Sequence, residues 1–269
     1  FAATLALPVF AQADYPNRVV KIVVASAPGG GTDTVARVLA NELSKTMGQQ
    51  FIVENRPGAG NVRGSDVAAK SPNDGYTLLM SASTLAINHV MHKQLPYDVA
   101  SDFAPITQMV IMPNVLVVGA KEPYKTFPDF LAAAKAKPGA LTYGSAGPGT
   151  APHMAMELLR LQAGIDLLHV PYTGVAPAIN DVMGGRVTAM LVNFLSAKPQ
   201  IDGGTLRALA MSSAKRSPFM PDLPTISESG VPGFEAIQWF GLLAPAGTPK
   251  AIVDRLQKET ARILETPVM

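Results

Sequence analysis

The chain of 269 residues has no cysteine, which excludes disulfides and cysteine-ligated metal and is compatible with an oxidising compartment. It has no block of like charge: 22 Lys and Arg stand against 20 Asp and Glu, and the net charge of +2 does not suit a nucleic-acid surface. There is no low-complexity tract. The apolar run from Phe1 to Phe10 is too short to cross a bilayer, which needs about 20 residues. The phosphate-cradling pattern G-x-x-x-x-G-K-[ST] is missing, and Gly29-x-Gly31-x-x-Thr34 lacks the third small residue of a dinucleotide fingerprint. The nucleophile elbow G-x-S-x-G is missing as well, because Tyr143 stands where Ser145 would need a glycine.

The organising stretch runs from Lys21 to Met47. Lys21–Ala25 is apolar and β-branched and reads as a buried strand. Ala27-Pro28-Gly29-Gly30-Gly31 cannot continue it, since Pro28 lacks a backbone donor and the glycines accept positive φ. Thr32 is expected to cap a helix that places Val35, Val38, Leu39, Leu43 and Met47 on one face and stops at Gly48. A strand, a glycine turn and a helix together present free N–H groups and a positive dipole end, which is an anion site.

The same unit recurs. Phe51–Glu54 and Tyr76–Met80 read as strands, with a short helix between them over Ser65–Lys70, giving a βαβαβ pattern and a parallel sheet. Phe103–Val118 reads as a strand leaving one lobe for another. Leu141–Tyr143, Leu167–Val170, Val187–Val192 and Leu206–Met211 read as strands of the second lobe, with helices over Phe127–Lys137, Ala151–Gln162 and through Ile179. Ser217–Pro232 reads as a loop, and Ile237–Leu243 as the strand that returns. The expected fold is α/β and two-lobed, each lobe a mainly parallel sheet flanked by helices, with a ligand cleft between lobes. The expected borders are 1–13 for a signal remnant, 14–109 with 225–269 for lobe 1, and 110–224 for lobe 2. Ala11-Gln12-Ala13 after the apolar start carries the signal reading, with an ordinary N-terminal strand as the alternative. Nothing closes the chain after the helix at Pro249–Glu265, so lobe 1 is expected to lack a C-terminal part.

Other chemistry is thinly supported. Ser145, His153 and Asp166 lack the spacing of a triad. His89 and His92 have no carboxylate cluster, and His169 inside an apolar strand reads as a core residue. The methionines read as core filler and Trp239 as packing at the lobe junction. Glu54, about 20 residues beyond the glycine turn, keeps open a nucleotide (NAD)-dependent α/β enzyme using the Gly29–Gly31 turn.

A set of motifs then carries a family resemblance. Tyr15-Pro16-Asn17-Arg18, Pro28-Gly29-Gly30-Gly31-Thr32-Asp33 and Arg37 open it. Val53-Glu54-Asn55-Arg56-Pro57-Gly58-Ala59-Gly60, Pro72-Asn73-Asp74-Gly75-Tyr76-Thr77-Leu78 and Leu95-Pro96-Tyr97-Asp98 follow. His169-Val170-Pro171-Tyr172-Thr173-Gly174, Pro221-Asp222-Leu223-Pro224-Thr225 and Gly241–Pro249 complete it. From Asp14 to Glu265 the chain resembles the Bug-type receptors of tripartite tricarboxylate transporters. The resemblance implies a periplasmic, monomeric solute-binding protein without catalytic activity, cofactor or nucleic-acid partner. It would close on a small carboxylate and deliver it to membrane permease subunits. It implies first-lobe contacts from Ala27, Gly30, Thr32, Asp33, Ser81 and Ser83. Second-lobe contacts would come from Ser145, Gly147, Thr150, His153, Tyr172, Thr173 and Asn193. Two departures bear on the ligand. Ala25 and Ser26 stand where the family usually has proline and an aromatic, and Val192 stands where it often has aspartate, which favours plain carboxylates over amino acids.

Overall fold

The computed structural model describes residues 15–267. The expected signal remnant at 1–13 lies outside the described residues. The first lobe begins with β1 (Val20–Val24), α1 (Gly31–Met47), β2 (Phe51–Asn55), α2 (Val62–Ala69), β3 (Thr77–Ala82) and α3 (Thr84–Met91). β1 pairs in parallel with both β2 and β3, as right-handed crossovers demand. α1 buries Val35, Leu39, Leu43 and Met47 along one stripe and stops at Gly48, whose φ of 72° is the left-handed termination that glycine adopts without strain. Gly30, not Thr32, occupies the N-cap of α1. With no side chain at the cap, the helix starts two residues earlier than the hydroxyl suggested.

β4 (Phe103–Gly119) is 17 residues long and belongs to both lobes. Its first part, to Pro113, pairs antiparallel with β9 (Ile237–Pro245), and β9 in turn pairs antiparallel with β3. From Asn114 onward it pairs antiparallel with β7 (Ala189–Asn193) and β8 (Leu206–Met211). The second lobe also holds α4 (Phe127–Ala136), β5 (Thr142–Ser145), α5 (Ala151–Ala163), β6 (Leu168–Pro171) and α6 (Val175–Met183). β5 runs parallel to β6 and β7. The parallel units of the two lobes are therefore joined through β4, which pairs with β9 in the first lobe and with β7 and β8 in the second. α8 (Lys250–Leu264) packs back on the first lobe through Ile252, Leu256 and Ile263.

Each sheet has helices on both faces. In the first lobe Ile22, Leu39, Leu43, Leu78, Met80 and Phe240 fill one side, and Val23, Leu79, Leu85 and Phe103 the other. In the second, Leu116, Phe127, Phe130, Tyr143 and Leu159 fill one side, and Val115, Val117, Ile179 and Met190 the other. Ile226, Val231 and Phe234 pack in that second-lobe core, and β9 pairs with the first part of β4 from Ile237 onward. An element absent from the sequence reading, α7 (Phe194–Asp202), follows β7 directly. Pro199 lies inside it and hides it from a periodicity reading. The Asn193 side chain caps it by accepting from the Ser196 N–H at 2.9 Å.

Leu39, fully buried in the first-lobe core, and Leu161, 80% exposed on α5, make a matched pair. Leu39→Ala is expected to cost about 2–5 kcal/mol in urea unfolding, and Leu161→Ala less than about 0.5 kcal/mol. Equal losses would contradict this assignment of the core.

Candidate ligand-binding cleft

A cavity lies between the lobes, and helix beginnings make its walls. Gly30, Gly31 and Thr32 bring the start of α1, Asn61 that of α2, and Ala82 and Thr84 that of α3. Across from them Thr150, Ala151 and Pro152 bring the start of α5, Gly174 and Val175 that of α6, and Asn193 that of α7. Ser26 and Ala27 follow β1, and Gln238 enters from β9. Six of the eight α-helices among the described residues thus begin at one cavity. None of the described residues lining it is charged.

The helix ends are left open for hydrogen bonding. α1, α2, α3, α5 and α6 have no side-chain cap. Away from the cavity, α4 carries a full capping box between Thr126 and Asp129, while α8 starts at Pro249 without one. Each open end contributes unpaired N–H groups and about half a positive charge. Several such ends facing one space favour an anion without any buried cation. The Ser26 and Ser83 hydroxyls are buried with no partner among the described residues, the first on a lining residue and the second beside two.

Of the residues expected at the site, Ala27, Gly30, Thr32, Thr150, Thr173 and Asn193 line the cavity. Gly147 and Tyr172 line an adjoining recess with Pro57–Asn61, Pro148 and Thr173. Five other expected side chains are engaged by neighbours or buried. Asp33 faces away: its carboxylate accepts from the Gly29 N–H at 3.0 Å, from Arg37 Nε at 3.0 Å and from Asn55 Nδ2 at 2.9 Å. Burial alone would raise its pKa, but these donors outweigh burial and hold it below the usual carboxylate range. Asp33 shapes the glycine turn from behind. Ser145 is fully buried, with its Oγ 2.7 Å from His169 Nε2. His153 Nδ1 accepts from the Gly149 N–H at 3.2 Å and so braces the loop before α5. The Tyr172 hydroxyl donates to Asp181 at 2.5 Å, and burial first, then Asp181, pushes its pKa up to about 12. Ser81 is buried within β3 opposite Gly241. Ser26, singled out above as a departure that bears on the ligand, lines the cavity, and the polar residues missed were Asn61, Thr84 and Gln238. A polar residue within the apolar run of β9 was the one available signal for Gln238.

The lobes touch around the cavity. Thr84 Oγ1 of the first lobe accepts from the Ala151 N–H of the second at 3.2 Å. A Cβ at Gly31 would lie 2.5 Å from Asn193 Oδ1, and one at Gly174 would lie 2.7 Å from the Ala27 Cβ. These glycines permit a backbone approach that no side chain would allow. Behind the second-lobe wall the rings of His153 and His169 lie 4.3 Å apart, with Tyr143 4.8 Å from His169. Burial lowers both histidines, reinforced at His169 by the His153 charge, while Glu157 opposes it at both. The Tyr143 hydroxyl donates to Glu157, which pairs with Arg160 at 2.8 Å. The nucleotide alternative finds no support: Glu54, which would bind a ribose, pairs with Lys21 and Arg56. Among the described residues no group of three His, Cys, Asp or Glu could hold a metal ion.

A sheet pair joined by two crossing strands, with helix ends facing a cleft, is the architecture of a periplasmic binding protein. The solved periplasmic binding protein BugD superposes with a TM-score of 0.90 at 37% identity, over 94% of this chain and 85% of that one. Residues 35–269 match the tripartite tricarboxylate transporter family receptor, and the chain belongs to this family of solute-binding receptors. MatC (Rpa3494) from Rhodopseudomonas palustris, solved with bound malate, has a TM-score of 0.89 and 33% identity over 94% of this chain and 87% of its own. The R. palustris protein Rpa4515, solved with adipate, reaches 0.92 and 37% over 94% and 85%.

Two outcomes follow from this geometry. Gly31→Ala is expected to hold the lobes apart through Asn193 and to weaken ligand binding at least about tenfold, with small-angle scattering showing a more open molecule. Wild-type compactness and affinity would contradict the contact. For the histidines, the folded state holds protons less readily than the unfolded chain, whose imidazoles titrate near pH 6.5. Their stability contribution is present above about pH 6.5 and is lost as pH falls through their depressed values. The thermal midpoint is expected to drop between about pH 7 and 5.5, and less steeply in a His153→Gln, His169→Gln double variant. An equal slope in both proteins would remove the histidines as the cause.

Proposed function

We propose that this protein is a periplasmic receptor that captures a small organic carboxylate between its lobes. It then hands the ligand to the permease subunits of a tripartite carboxylate transporter, acting as a monomer and without catalysis. The observation that carries this reading is the convergence of six helix beginnings on a cavity with no charged lining. Relatives solved with malate and with adipate support the ligand class. The family supports the transporter partner and the periplasmic location. Among the described residues no helix is long and apolar enough to cross a membrane. The lobe borders that fit the strand pairing lie at Pro113/Asn114 on the way out and Ala236/Ile237 on the way back.

In this reading one carboxylate sits at the start of α1, held by the N–H groups of Gly31 and Thr32 and by the Thr32 hydroxyl. The second lobe supplies Thr173 and the Asn193 amide. Hydrogen bonds to a charged group contribute about 1.5–3 kcal/mol each, so three or four reach the roughly 8 kcal/mol of micromolar binding.

Isothermal titration against di-, tri- and aromatic carboxylates is expected to give at least one ligand in the micromolar range or tighter. Thr32→Val should weaken that ligand about tenfold. Ser145→Ala, whose hydroxyl is fully buried against His169 and does not line the cavity, should change affinity far less. No binding across the panel, or a loss at Ser145 larger than at Thr32, would count against the reading.

A further inference from the structure

The cavity holds two buried primary amides that hydrogen bonds fix in opposite senses. Asn193 is 3% exposed, and its Oδ1 accepts from the Ser196 N–H at 2.9 Å, which leaves its Nδ2 as the group available to a ligand. Gln238 is 4% exposed and enters the same cavity from β9. Its orientation is set by a chain that ends on a backbone carbonyl. Ala236 O can only accept, so Asn114 turns its Nδ2 toward it, at 2.7 Å. That leaves Asn114 Oδ1, which can only accept, so Gln238 presents its Nε2 there, at 2.6 Å. Asn114 is itself held, its N–H donating to Ser212 Oγ at 2.7 Å while the Ser212 hydroxyl donates to Ala236 O at 2.5 Å.

The Gln238 amide therefore cannot turn over without breaking this chain. Its Oε1 has no protein partner among the described residues, and it is not sealed in protein as the Ser83 hydroxyl is. A fixed acceptor thus faces a cavity whose other polar groups are helix N–H donors, adaptable hydroxyls and the amides of Asn61 and Asn193. A carboxylate oxygen cannot satisfy it, because two acceptors would oppose each other. The ligand must bring a donor. An ammonium group suits the site poorly: no lining residue is acidic, and the helix ends already make the space positive. A neutral hydroxyl meets both demands.

We propose that Gln238 is a specificity-determining residue that reads a hydroxyl on the ligand, so that this receptor prefers hydroxy-carboxylates to the same acids without the hydroxyl. The inference rests on the carboxylate reading above and narrows it. Of the two acids found in relatives, malate carries such a hydroxyl and adipate does not.

The test is calorimetric titration of matched pairs that differ only in the hydroxyl: succinate and malate, glutarate and 2-hydroxyglutarate, adipate and 2-hydroxyadipate. For the chain length that fits, the hydroxylated member should bind at least about tenfold more tightly, since a buried polar group left unpaired is costly. Gln238→Met keeps the length and removes the acceptor, and it should bring that ratio to within about threefold of unity. Asn114→Ala frees the amide to rotate and should lower the ratio less. The wild-type ratio decides the matter even if a variant fails to fold. A ratio near unity for every pair that binds would overturn the inference while leaving the carboxylate reading intact, and so would a preference that survives in Gln238→Met. Binding of no member of any pair, with another acid of the wider carboxylate panel still bound, would also overturn this inference, and only silence of the whole panel would remove the carboxylate reading with it.

Discussion

The antiparallel pairing of β4 with β9 is the constraint on which the molecule depends. β4 pairs with β9 from Phe103 to Pro113, then leaves it at Asn114 for β7 and β8. Two irregularities in the β4–β9 register, between Pro105 and Thr107 and between Gln108 and Val110, add local twist before the crossing. At the crossing itself a buried cluster replaces the sheet ladder. Asn114, Ser212 and Ala236 exchange backbone and side-chain hydrogen bonds, the Ser212 N–H donating to Asn114 O and the Ala236 N–H to Ser212 O, both at 2.9 Å. Because β3 pairs with β9 and β7 with β4, the register of this one pair sets where the helices after β3 and β7 begin. The cleft is a consequence of that register.

A cleft built this way attracts anions without burying a cation. A buried arginine would have to be desolvated and then paired, and leaving it unpaired when the cleft is empty would be destabilising. Helix ends have no such difficulty, since water satisfies their N–H groups when no ligand does. The formal charges lie elsewhere, in pairs such as Arg18–Asp74, Lys45–Glu42 and Lys250–Asp254 on exposed surface. A receptor that must release its ligand is better served by several moderate hydrogen bonds than by one strong ion pair, because opening the lobes breaks them as separate groups.

Much of this was legible in the sequence, and the part that was not has a physical cause. The strand, glycine turn and α1 were read from Lys21–Met47 because their signals are local: β-branched residues, Pro28, three glycines, a 3.6-residue stripe and Gly48. Thr150, Thr173 and Asn193 came from the family resemblance, and they stand where a strand gives way to a helix. Asp33, Ser145, His153 and Tyr172 have the right chemistry at the right turns, but each is held by a neighbour: Arg37, His169, Gly149 and Asp181. A sequence displays a side chain's capacity for hydrogen bonding and does not display whether that capacity is already engaged. Gln238 failed for the opposite reason. It enters the cavity only because β9 inserts between β3 and β4, a pairing that joins residues more than 120 positions apart in the chain, as Gln238 and Asn114 are.

The two glycine contacts connect this architecture to motion. Gly31 meets Asn193 and Gly174 meets Ala27 with no room for a further carbon, so the lobes meet backbone to side chain at the cavity rim. A hydrogen bond from the Ala151 N–H to Thr84 and the packing of Leu195 on the first-lobe core join the lobes as well. On the reading proposed above, a ligand that bridges the start of α1 to Asn193 would add free energy in the closed form only, which is the differential affinity that a population shift requires. Gln238 extends the same logic to the crossing, because its amide is fixed to Asn114 at the point where β4 changes partners. A ligand hydroxyl bound there, as proposed above, would lie beside the residues at which β4 passes from one lobe to the other.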